Sequence, residues 1–184
     1  ATRGGPPQDL AERLADSLPP FRPAPVHLWN PPISGRIDIR IDRDGGWHHE
    51  GEPILREGLV RLFASVLRRE ADGGYVLVTP VEKVAIEVAD VPFLAVDLSA
   101  TASDPPLITF RTNLGEEVPL DADHPLRIDD AGGDAFIPYV TVRPGIEARL
   151  TRAVAEDLAG HAVERGSRLG VESGGQFFVI GPSP

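Results

Sequence analysis

A seven-residue string occurs twice in this chain, and the segments after it recur in the same order; nothing else in the sequence constrains the fold as strongly. Arg40-Ile41-Asp42-Arg43-Asp44-Gly45-Gly46 returns as Arg127-Ile128-Asp129-Asp130-Ala131-Gly132-Gly133, with five identities in seven positions. After each copy come an aromatic residue (Trp47, then Phe136), a short strand-like run and an amphipathic helical segment. A Gly-Gly pair and an aromatic-led strand ending in proline close each series, as Gly73-Gly74 with Tyr75–Pro80 and Gly174-Gly175 with Phe177–Pro182. The offset between copies grows from 87 to 101 residues, so the second carries 14 extra, expected within its helix and the loop after it. Four elements in the same order imply a duplicated hairpin–helix–strand unit.

Local patterns agree with this reading. From Arg36 to Asp42 isoleucines and charged residues alternate strictly, which predicts a half-buried strand. Asp44-Gly45 supplies the turn, since glycine takes the positive φ that a hairpin requires. The first helix is expected to bury Leu55, Leu59, Leu62, Phe63, Val66 and Leu67. The second is expected over 144–164, opening at Pro144 and burying Ile146, Leu150, Val154 and Leu158 at i, i+4 spacing. Between the copies, residues 84–120 read as β-rich, with Val84, Ile86 and Val88, then Leu94, Val96 and Leu98, then Ile108 and Phe110 on buried faces. The fold class is α+β. Residues 1–32 form a proline-rich arm holding eight of the 19 prolines. Leu10, Leu14 and Leu18 fit a short helix that Pro19-Pro20 ends, and an extended polyproline-like stretch from Phe21 to Pro32 comes next, with Trp29 as its packing anchor. Domains are expected at 33–85 and 86–184.

Composition narrows the function classes. With no cysteine, disulfides, thiolate metal centres and thiol catalysis are excluded. The longest uncharged stretch, Pro23 to Gly35, has 13 residues and cannot span a bilayer, which needs about 20. No basic segment followed by an apolar one opens the chain, so a cytoplasmic location is expected. The net charge of −10 argues against a nucleic-acid polymer as partner. That charge is local, because residues 85–135 hold 11 acids against Arg111 and Arg127. A small anion remains admissible elsewhere.

Residues that attract attention as sites mostly have plain structural readings. His48, Glu50 and Glu52 would share one strand face, but three such positions spread over about 13 Å, so an exposed polar hairpin is expected and no metal site. Asp42-Arg43-Asp44-Gly45 lacks the full calcium-loop pattern, and Asp129, Asp130 and Asp134 beside Gly132-Gly133 read as turn chemistry. The Gly-Gly pairs precede strands, whereas phosphate loops open helices. No catalytic constellation stands out and no cofactor is implied, so a non-enzymatic protein is expected. A hydrolase using paired carboxylates is the weakest of three readings. Thr79-Pro80-Val81-Glu82-Lys83 is chemically richer, placing a hydroxyl, an acid and the single lysine at the junction of the copies. The plain reading is a structural salt bridge plus a turn; the functional one, with Thr112, Asn113, Tyr139 and Arg143, is a pocket between the repeats in which Lys83 and Arg143 neutralise an anionic ligand and Thr112 and Asn113 orient it.

The chain resembles an uncharacterised bacterial family known as domain of unknown function 1285. The resemblance rests on Ile37-Asp38, Arg40-Ile41, Asp44-Gly45-x-Trp47, Gly51-x-Pro53-Ile54, Leu59-Val60-x-Leu62-Phe63, Tyr75-x-Leu77 running on to Lys83, Asp90-x-Pro92-Phe93, Phe110-x-Thr112-Asn113 and Arg143-x-Gly145-x-Glu147-Ala148. It covers nearly everything after residue 28, and Thr79–Lys83 is its most specific motif. It adds Glu147 to the candidate lining. It implies a duplicated core with a loosely pleckstrin-homology-like second half, an interface pocket for a nucleotide-like small molecule, and an association with signalling. The leading expectation is therefore a ligand-binding or signalling module; the alternative is a protein-interaction adaptor with a protein partner.

Overall fold

The computed structural model describes residues 22–129 and 136–182. Leu10, Leu14 and Leu18 of the arm, and Asp130 to Asp134 of the second copy, lie outside them. The chain divides into two compact units, 1–90 and 91–184.

In the first unit the alternating segment forms β1 (Ile33–Ile41), with Ile39 and Ile41 in the core and Asp38 and Arg40 turned outward. A tight turn leads to β2 (Trp47–His49), and β3 (Glu52–Pro53), α1 (Glu57–Ser65), β4 (Leu67–Arg69), β5 (Tyr75–Val78) and β6 (Lys83–Val88) come after it. These strands make one six-stranded sheet in the order β3-β2-β1-β6-β5-β4, antiparallel except for β1 with β6. The expected boundary after residue 85 would cut β6, which pairs with both β1 and β5, so the unit ends after Asp90 instead.

α1 joins β3 to β4, the two edges of this sheet. Six strands are about 24 Å across, whereas nine helical residues reach only about 13.5 Å. The crossing is therefore completed by non-helical chain, and the expected apolar face is only partly covered. Val60, Ala64 and Leu67 are buried and Phe63 stacks on Trp47 at 6.3 Å between centroids, but Leu55 and Leu62 are exposed. Leu67 has left the helix for β4. The arm also departs from expectation, because Val26–Leu28 form a 3-10 turn within the supposed extended stretch. Arg68 Nη1 pins it by donating to the carbonyls of Val26 (2.9 Å) and Trp29 (2.6 Å), and Trp29 is half-buried.

The second unit begins with β7 (Phe93–Thr101), β8 (Leu107–Thr112), β9 (Glu117–Pro119), β10 (Leu126–Asp129), β11 (Ile137–Arg143) and β12 (Ile146–Leu150). They form a six-stranded sheet ordered β10-β11-β12-β7-β8-β9, with β12 parallel to β7. Then come α2 (Arg152–Gly160), β13 (Val163–Arg165), β14 (Arg168–Ser173) and β15 (Gln176–Pro182), the last three forming a separate antiparallel sheet. Ser173 joins the sheets, its buried hydroxyl accepting from Ile108 N at 2.8 Å.

The helix expected over 144–164 is half strand. Pro144 and Gly145 (φ 75) make the β11–β12 turn, which proline starts and glycine's positive φ completes. Ile146, Ala148 and Leu150 are all buried, as period-two alternation demands. A spacing of four is a multiple of two, so Ile146 and Leu150 satisfied the helical template as well. The 14 extra residues of the second copy lie on either side of α2, since both helices have nine residues. Before it β11 and β12 are longer than β2 and β3, and after it β13 is added and β14 is longer than β4. On β7 the buried face is Phe93 and Ala95 rather than Leu94, Val96 and Leu98, with an irregularity between Ala95 and Asp97. The order hairpin, helix, Gly-Gly hairpin thus recurs in a mixed α+β fold, while the sheets that receive it differ.

Candidate functional site

The solvent face of the first sheet carries a groove of about 540 Å³ lined by Asp38, Arg40, Asp42, His48, Gly51 and Glu87. Strand alternation puts Asp38 and Arg40 on that face, two positions apart. Register does the rest: Arg40 lies opposite His48 of β2 and beside Glu87 of β6. A guanidinium therefore occupies the middle of a three-strand row.

Two of the three acids are engaged. Asp42 Oδ1 accepts from the amides of Asp44 (2.9 Å) and Gly46 (2.8 Å), and Oδ2 accepts from His48 Nε2 at 2.8 Å. Burial works against the Asp42 charge, but the His48 hydrogen bond and the two amides outweigh it and hold the carboxyl below the ordinary aspartate value. A Cβ at position 46 would lie 2.7 Å from Asp42 Oδ2 and 3.2 Å from His48 Nε2, which explains Gly46. Glu87 accepts from Arg36 Nη2 at 3.0 Å and lies 3.9 Å from Arg40 Nε. The Asp38 carboxylate makes no hydrogen bond or ion pair among the described residues. His48 and Glu52 do not share a strand face, because Glu50 (φ 51) and Gly51 (φ 81) turn the chain between β2 and β3. Among the described residues no group of three or more His, Asp or Glu is placed to hold a metal ion.

The residues expected to line a pocket have internal partners. Thr79 Oγ1 accepts from the amides of Val81 (3.4 Å) and Glu82 (3.0 Å), and Thr79 N donates to Glu82 O (2.8 Å), making Thr79–Glu82 the tight turn between β5 and β6. Lys83 Nζ donates to Glu70 at 3.2 Å, and Glu70 also pairs with Arg68 at 2.7 Å. Burial opposes the Glu70 charge, yet its two cations keep the carboxyl below the ordinary glutamate value. Thr79–Lys83 thus closes the β5–β6 hairpin, and its lysine shares Glu70 with Arg68, the residue that holds the arm.

In the second unit Thr112, Asn113 and Arg143 come together at the start of β7. Asn113 Oδ1 accepts from Leu94 N at 3.1 Å, while buried Thr112 accepts from Glu116 N at 3.1 Å. A register shift in β11 pairs Arg143 with Ile146 and brings its guanidinium over the Phe93 ring, 5.5 Å from the centroid. Glu116 lies 3.9 Å from Arg143 Nη1. Burial pushes Glu116 up, only partly offset by Arg143 and His124, and pulls Arg143 down against the Glu116 charge. Tyr139 and Glu147 belong to another cluster: Arg127 holds Glu147 through two bonds of 2.9 and 3.0 Å and lies 4.1 Å from the centroid of the buried Tyr139 ring. Sequence reasoning missed the partners Glu70, Glu116 and Arg127 as well as the groove. Alternation in β1 could have flagged Asp38, Arg40 and Asp42; nothing local announces Glu87.

Residues 24–91 match the N-terminal domain, and residues 92–180 the C-terminal domain, of the family described as Domain of unknown function (DUF1285). A crystal structure of a DUF1285 family protein from Silicibacter pomeroyi DSS-3 is 40% identical over 94% of each chain, with TM-score 0.82. A second, from Shewanella baltica OS155, is 27% identical with TM-score 0.54, covering 66% of this chain and 90% of its own. No curated protein matches.

Proposed function

Since the chain belongs to the DUF1285 family, a family described by its domains and not by an activity, we propose that it is a non-enzymatic small-ligand-binding module that serves signalling, with its site in the groove of the first unit. The observation carrying this reading is the groove itself, whose volume of about 540 Å³ suits a small molecule and whose Arg40 offers a fork to an acidic group. Lys83 and Arg143, the cations expected to neutralise an anion, sit beside Glu70 and Glu116. Arg40 takes over that role here. The second unit, two antiparallel-rich sheets and a helix, is read as loosely pleckstrin-homology-like, a shape that brings no lipid binding with it.

A thermal-shift screen of acidic metabolites, nucleotides and amino acids against the full chain tests this. At ligand concentrations of about ten times Kd a bound compound stabilises by roughly 1.4 kcal/mol, a rise of a few degrees. The expected result is such a rise for at least one compound, lost in Arg40→Ala. No stabilising compound, or a rise that survives the substitution, overturns the proposal. The adaptor reading is favoured by a separate observation, the exposure of Leu55 and Leu62 at 87% and 58%. Under that reading Leu55→Ser with Leu62→Ser abolishes partner capture, and no compound shifts the melting temperature.

A further inference from the structure

The groove's lining says more about its occupant than that it is small. Three carboxylates (Asp38, Asp42, Glu87) surround one guanidinium and one imidazole. A bare anion approaching Arg40 meets net repulsion from that surround. A bare cation meets Arg40. The groups already engaged narrow the choice further. Asp42 is held by three donors and Glu87 by Arg36, which leaves the Asp38 carboxylate and the outer edge of the Arg40 guanidinium to receive a ligand.

These two residues stand on the same face of β1, their backbone positions about 6.6 Å apart at two residues' rise, and their side chains form no ion pair with each other. A molecule whose acid and amine are separated by one or two carbons has the length to bridge two such neighbouring side chains, with a hydrogen bond at each end. Its carboxylate takes the Arg40 fork and its ammonium donates to Asp38. The charges then cancel in pairs, and no lining acid faces an unscreened anion. Gly51 forms part of the wall with nothing within 4 Å of where a Cβ would stand, so the ligand's substituent has room there.

We propose that the groove binds a small zwitterion of the amino-acid class, with Arg40 receiving the acid and Asp38 the amine. This rests on the ligand-binding reading above, and the test separates the two. Amide NMR spectra of the full chain are titrated with glycine and β-alanine as zwitterions, acetate and inorganic phosphate as anions, and ethylammonium as a cation. The expected result is a saturable shift of the Arg40, His48 and Gly51 amides with a zwitterion, at least about tenfold tighter than with the matching anion or cation, a difference of about 1.4 kcal/mol. Asp38→Asn, which keeps its size, and Arg40→Gln, both on an exposed face, each weaken it by about tenfold or more, and their own spectra report that the fold is kept.

If an anion binds as tightly as the zwitterion and Asp38→Asn leaves it unchanged, the zwitterion is overturned while the binding module stands. If no probe moves the groove amides and the thermal-shift screen is silent as well, both fall. Shifts confined to amides outside the groove overturn the site.

Discussion

The two helices occupy the same place in the two copies, have nine residues each, and are held in opposite ways. α2 starts at Thr151, whose side chain accepts from Val154 N, and buries Val154, Ala155 and Leu158 against β7, β11 and β12. α1 starts at Arg56 with no side-chain cap, carries Gly58 in its first turn, and leaves Leu62 in solvent. An amphipathic pattern shows that a helix has an apolar face. Whether anything covers that face depends on the sheet it lands on. α1 must stretch between the edges of its sheet, whereas α2 comes directly after β12 and lies on the strands beside it.

Truncation should break this comparison most forcefully. Leu158→Ala removes a fully buried side chain and is expected to cost about 2–5 kcal/mol, while Leu62→Ala should stay within about 0.5 kcal/mol. Denaturant melts of both variants measure it, and a cost above about 1 kcal/mol at Leu62 would mean that something covers that face in solution. A smaller effect comes from the caps. Thr151→Ala should cost about 1 kcal/mol or less, given its 3.4 Å bond, and Arg56→Asp should gain a comparable amount by supplying α1 with an acceptor at its N-terminus. A neutral or destabilising Arg56→Asp would show that Arg56 has a role of its own.

The smallest effect is a difference in pH dependence between the units. The Asp42 carboxyl is held below its ordinary value, so its contribution to stability is complete above the unfolded value and lost as pH falls through the folded one. Glu116 is pushed up by burial, so its contribution runs the other way and stability declines as pH rises through its raised value. Melting curves between about pH 3 and 7 should therefore show Asp42→Asn losing most against the parent near neutrality, and Glu116→Gln gaining in the same direction of pH. The same sign for both would break the contrast.

Much of the fold could be read in advance. β1, its Asp44-Gly45 turn, the β-rich middle and the order of elements all come from local periodicity and turn chemistry. The half-strand at 146–150 could not be separated from a helix, because Ile146 and Leu150 satisfy both periods and only pairing with β11 and β7 decides between them. The candidate lining was harder still. Thr79, Lys83 and Asn113 were visible as chemistry, but Glu70 and Leu94, the partners of Lys83 and Asn113, are chosen by pairings that no local signal carries. The groove shows the same limit, since Asp38 and Arg40 are readable as a strand face while Glu87 reaches them through a parallel pairing 47 residues on.

By itself the sequence determined the recurrence, the sites of its turns and the faces of its best strands. These depend on φ preferences, period-two alternation and residues only a few positions apart. Tertiary structure alone decided which sheet receives each closing hairpin, how far each helix is covered and which acids neutralise which bases. Those outcomes are set by contacts between distant segments, and any of several pairings would satisfy the local pattern equally well.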